Sequence, residues 1–77
     1  MDIDLIGRHP ATQQIMRWFV WDHLRSVRLR NVSQQVAALA DEMVSALPDG
    51  PELTSGLRKL LEAKDCFVRA AVESEGE

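Results

Sequence analysis

A chain of 77 residues with one cysteine and a formal charge of −3 has few ways to hold itself together. Its length allows one domain with a modest core, Cys66 closes no disulfide within the chain, and Cys66, His9 and His23 lack metal-ligand spacing, so close helix packing or self-association is left. The acidic balance argues against general DNA or RNA binding, and no apolar run is long enough to cross a membrane. The opening MDIDLIGRHP lacks the basic-then-apolar order of a signal peptide, and the unpaired thiol fits a reducing cytoplasm.

In chain order, Met1 to Gly7 reads as frayed. His9-Pro10 opens a helix, because proline at the first helical position gives up an N–H that would be unpaired anyway. That helix is predicted to run from Ala11 to about His23, with Ile15, Trp18 and Phe19 on one face and Met16, Val20 and Trp21 widening the apolar surface. A second helix over Leu29 to Leu47 follows from Leu29, Val32, Val36, Leu39, Ala40, Met43 and Leu47 at steps of three and four. LPDGP, Leu47 to Pro51, stops that helix at Pro48, turns at Asp49 or Gly50 and starts the next at Pro51. The third helix, to about Val72, carries Leu53, Leu57, Leu60, Leu61, Phe67, Val68 and Ala71 on one stripe, with Arg58–Glu62 and Asp65–Arg69 as opposite charges four apart. The tail ESEGE reads as disordered. The expected fold is all-α: a short N-terminal helix, then an antiparallel two-helix hairpin, in a single domain over 1–77 with 1–8 and 73–77 flexible. Two long helices and a short one leave apolar stripe uncovered, so a homo-oligomer is expected.

Nothing in the chain reads as catalytic. Asp22 and His23 are neighbours and point about 100° apart on a helix, the serines have no glycine elbow, and no glycine-rich phosphate loop exists. No cofactor is implied, and Cys66 reads as a small buried hydrophobe. The chemistry on offer is binding. Three of the four aromatics, Trp18, Phe19 and Trp21, fall within RWFVWDHL. Trp18 and Phe19 join Ile15 in the expected core, whereas Trp21 near the helix end is either core or a platform for a flat base, and His23 a cap or surface residue. Lys64 interrupts the apolar stripe of the third helix; it either snorkels to water or lines a cavity and meets a phosphate. Arg28 and Arg30 have no obvious acidic partners in sequence. The basic groups of the first and last thirds flank an acidic middle, so a folded chain could bring them together on a small anion.

Two stretches resemble a known family. FVWDHL, with Trp21 where a tyrosine is usual, and the string from Val32 through LPDGPELTSGLRKLLEAKDCFVRAAV are similar to the phage cyclic-oligonucleotide sponges that disarm CBASS and Thoeris immunity; the likeness covers about Phe19 to Val72. It implies an all-helical assembly, typically a hexamer in the host cell cytoplasm. Such proteins hold cyclic dinucleotides or trinucleotides between subunits without cleaving them, through an aromatic on the base and basic residues on the phosphates. Here that role falls to Trp21, with Arg25, Arg28 and Lys64 on phosphate and His23 and Arg69 completing the candidate set. Ser33, Gln34 and Gln35 stand where the family carries a basic residue, and Phe67-Val68-Arg69 replaces its Trp-Ala-Asn. The other expectation is a helical protein-interaction module with no nucleotide ligand. No DNA or membrane partner is expected.

Overall fold

The computed structural model describes residues 5–75, and those residues form three helices and no strand: α1 (Pro10–Met16), α2 (Val27–Ala46) and α3 (Pro51–Glu75). Each start has a local cause. The His9 ring nitrogen Nδ1 accepts from the Ala11 amide at 3.0 Å, with Pro10 at the first helical position of α1. Ser26 Oγ accepts from the Leu29 amide at 3.3 Å and caps α2. Leu47, extended at φ −121° just before Pro48, ends α2, and Pro51 opens α3.

α1 is much shorter than its apolar pattern predicts: it ends at Met16, and RWFVWDHL lies in the turns that follow. In a continuing helix the Trp18 carbonyl would accept from the Asp22 amide. Instead Lys64 Nζ donates to it from α3 at 2.7 Å. The amides of Trp18, Phe19 and Leu24 reach back only three residues, to Ile15, Met16 and Trp21, tightening the chain out of α geometry. A tertiary contact overrides the local pattern.

The core is built from Ile15, Met16 and Phe19 against Val36, Ala37, Ala40 and Val44 of α2 and Leu53 and Leu57 of α3. Phe19 and Met16 are fully buried, each contributing about 1.5–3 kcal/mol through apolar area removed from water. The expected pairing of Trp18 with Phe19 in the core is corrected, because Trp18 is 56% exposed while Phe19 turns inward beyond the helix end. The inward face of α2 also differs from the predicted stripe. It runs through Ser33, Val36, Ala37, Ala40 and Val44, and leaves Leu39, Met43 and Leu47 exposed. Small residues on that face let α2 lie close to α3, so the bulkier leucines are pushed to the flank. Phe67 and Cys66 of α3 are exposed rather than buried.

Asp49 in the α2–α3 turn gathers the segment before α1. Its carboxylate accepts from Arg8 Nε at 3.1 Å, the His9 amide at 2.9 Å and Thr12 Oγ1 at 2.7 Å, while Arg8 also donates to the Val44 and Leu47 carbonyls at 2.5 and 2.8 Å. Arg8 and Thr12 are thereby fixed, and Gly7, at φ +84°, provides the left-handed bend that precedes them. Within the segment expected to be flexible, 1–8, Arg8 makes these bonds, and residues 1–4 lie outside the described region. At the other end α3 continues to Glu75, where Glu75 accepts from Ser26 and Arg28 donates to Ser74; the rest of the expected loose tail, 76–77, is again outside the described region. No helix among the described residues is long and apolar enough to cross a membrane.

Candidate functional site

Three of the six sequence-predicted binding residues meet in one cleft. His23 comes from the turns after α1, and Lys64 and Arg69 come from α3 one turn and a little apart. Ser33 of α2 forms part of the wall, with Val20, Leu24 and Val68 as the apolar lining and Asp65 as an acidic neighbour. The cleft holds about 210 Å³. That is room for a phosphate and part of a sugar, and less than the usual 300–1,000 Å³ of a pocket enclosing a drug-sized ligand.

The chemistry of the cleft favours an anion without being purely basic. Lys64 and Arg69 carry fixed positive charge, and Asp65 offsets part of it. Lys64 has three donors and spends one on the Trp18 carbonyl, which also fixes its ammonium at the rim, 5.9 Å from the Phe19 ring centroid. Arg69 makes one weak bond, from Nη2 to Cys66 Sγ at 3.3 Å, and leaves most of its guanidinium uncommitted; the predicted Asp65–Arg69 ion pair is not formed. Ser33 is 1% exposed, and its hydroxyl has no hydrogen-bond partner. A buried hydroxyl without a partner costs on the order of 1–3 kcal/mol, so its retention in a wall of this cleft calls for a reason.

Trp21, Arg25 and Arg28 are not brought to this cleft. Trp21 is half-buried and packs against the core, so much of its ring is already covered. Arg25 is exposed, and its carbonyl accepts from Arg30 Nη1 at 2.9 Å, a bond that with Leu24 closes the turn before α2. Arg28 lies in a separate shallow groove between α2 and α3 beside Val32, Gln35 and Phe67. Sequence reasoning passed over Ser33 and Trp18. Ser33 was detectable as a polar residue four after Leu29 and three before Val36, in register with the inward face. Trp18 was hidden by the assumption of a longer α1.

Another concavity of about 290 Å³ is mostly apolar, formed by Leu39 and Met43 of α2, Leu47 just past its end, and Leu53, Gly56, Leu57 and Leu60 of α3, with Glu52 also on its lining. α1 contributes nothing to it. Among the described residues no cluster of histidine, cysteine and carboxylate groups could hold a metal ion. No protein-family model, curated protein or solved structure matches this chain.

Proposed function

We propose that this chain is a non-catalytic binding protein that sequesters phosphate-bearing cyclic oligonucleotides, cyclic di- or trinucleotides of the CBASS-type immune signal class, in a cleft completed by another copy of itself. The observation that carries the reading is the meeting of His23, from the turns after α1, with Lys64 and Arg69, from the distant α3, around one small concavity. Two cations there can each give a charge-assisted bond to phosphate oxygen. The nucleotide class rests on the resemblance of FVWDHL and of the LPDGPELTSGLRKLLEAKDCFVRAAV string to the sponge family.

The size of the cleft supports self-association. A cyclic dinucleotide with two bases and two phosphates is too large for about 210 Å³, so the rest of the ligand needs a second wall. Bonds from the start of α2 to the end of α3 support the antiparallel hairpin arrangement of these two helices, whose apolar groove around Met43 is the surface on which copies would join. A pair of copies related by a two-fold axis offers matching cations to the two phosphates of such a ligand, and higher closed assemblies repeat the same seam up to a hexamer. Holding a ligand by mass action requires no general acid or base.

Calorimetric titration with a panel of cyclic di- and trinucleotides tests this. At least one should bind at micromolar concentration or tighter and be recovered chemically intact. Replacing both Lys64→Gln and Arg69→Gln should weaken it by about a hundredfold, on the order of 1.5 kcal/mol per charged bond. A folded protein that gives no heat with any of them refutes the proposal. A second reading, a module that docks a helix of another protein, is favoured by the exposed apolar groove of Leu39, Met43 and Leu47. It predicts that Met43→Glu abolishes capture of that protein while nucleotides have no effect.

A further inference from the structure

Trp18 is joined to the cation cleft through its backbone, whose carbonyl accepts from the Lys64 ammonium that lines the cleft. Trp18 is 56% exposed, the most exposed aromatic among the described residues. The Arg17 guanidinium lies over its ring, 5.1 Å from the centroid, and Arg17 Nη1 is tied to Gln14 Oε1 at 3.1 Å. One face of the indole is thus backed by a fixed cation. The Trp18 carbonyl is held by Lys64 Nζ at 2.7 Å, so the ammonium that lines the cleft also fixes the backbone from which the indole projects. The indole is therefore attached to the residue whose carbonyl the cleft's ammonium holds, and its exposed surface is open to a base.

We propose that Trp18 stacks on the base of a nucleotide whose phosphate is held by Lys64 and Arg69, and so determines that the cleft takes nucleotides rather than bare phosphates. The inference rests on the cleft being a phosphate site. Stacking accepts any base, because every base has a π face, and a cation behind the indole adds attraction to the stack. Trp18, not the half-buried Trp21, then supplies the aromatic contact, and Lys64 couples the two halves of the site.

Two probes separate the halves: a purine cyclic dinucleotide, which carries bases, and inorganic pyrophosphate, which carries only the anion. Trp18→Ala should weaken the dinucleotide about ten- to a hundredfold and leave pyrophosphate unchanged, while Trp18→Phe keeps most of the affinity. In a Trp21→Phe background, the fluorescence of Trp18 should be quenched by the dinucleotide and not by pyrophosphate, a readout that leaves the platform itself unaltered. Equal dinucleotide affinity in wild type and Trp18→Ala, or an unquenched Trp18 in the saturated complex, overturns the inference and leaves the phosphate site standing. Parallel loss of both probes in Trp18→Ala also overturns it, by making Trp18 a support for Lys64 only. Failure of wild type to bind either probe removes the phosphate site and the platform together.

Discussion

At the scale of single residues, Asp49 and Ser33 show opposite uses of a polar group. The Asp49 carboxyl is held below its ordinary value, first by the His9 amide, then by the Thr12 hydroxyl, against a desolvation cost, with Arg8 lowering it further. A carboxyl whose folded pKa is depressed stabilises the fold above its unfolded value and loses that contribution as pH falls through the folded value. The segment before α1 should therefore stay docked through the ordinary carboxyl range and loosen as the pH falls below it. Protection of the His9 amide against hydrogen exchange, corrected for the intrinsic rate, should drop there in wild type and should be lost at neutral pH already in Asp49→Ala. Ser33 is the reverse, a buried hydroxyl with no return from the fold. Ser33→Ala should leave urea stability unchanged or raise it by about 1 kcal/mol, since alanine also favours the helix. If the hydroxyl serves a ligand in the cleft, the same variant binds more weakly, so a gain in stability would accompany a loss of affinity.

At the scale of elements, the two long helices were legible and the connector between α1 and α2 was not. Pro48 and Pro51 mark a stop and a start through short-range chemistry, and the structure uses them so, while α2 begins two residues before Leu29 behind the Ser26 cap. RWFVWDHL carries a helical pattern, but its helix is interrupted by Lys64, a residue 46 positions beyond Trp18. No local rule reports such a contact. Val36 and Ala40 of the expected α2 stripe do face inward, whereas Leu39, Met43 and Leu47 do not, and Ser33, Ala37 and Val44 are buried beside them instead. Of the site, Lys64 was visible as a charge interrupting an apolar stripe and His23 as an imidazole beside the aromatics. The Arg8–Asp49 pair, across 41 positions, left no trace in sequence. The exchanged places of Trp18 and Phe19 are measurable. Phe19→Ala should cost about 3–5 kcal/mol, a large part of the stability of a small domain, and collapse the far-ultraviolet circular dichroism on mild heating. Trp18→Ala should leave that signal close to wild type. Gly56, exposed in α3 with no atom within 4 Å of an added Cβ, gives a further test. Gly56→Ala should raise the unfolding free energy by about 0.5–1 kcal/mol through helix propensity, read by urea titration.

At the scale of the whole molecule, principal extents of 43 × 21 × 17 Å leave a thin body, less than two helix diameters deep in its smallest dimension. Such a body has core on one side of each helix and apolar surface left on others, which is where Leu39, Met43 and Leu47 stand. On the proposed reading, a joining surface there and the need for a second wall at the cleft both follow from this thinness. Met43→Glu places a charge in the middle of the groove and should shift the sedimentation of the protein to that of a single chain, with the helical content retained. Sequestration should fall with it, because the second wall is lost.

The most direct measurement is a native mass spectrum of the wild-type chain at low micromolar concentration with an added cyclic dinucleotide. The account predicts a closed multiple of the chain mass carrying unmodified nucleotide, and loss of the nucleotide from that species in the Lys64→Gln, Arg69→Gln variant. A spectrum dominated by single chains without ligand, from protein whose circular dichroism is fully helical, would contradict it.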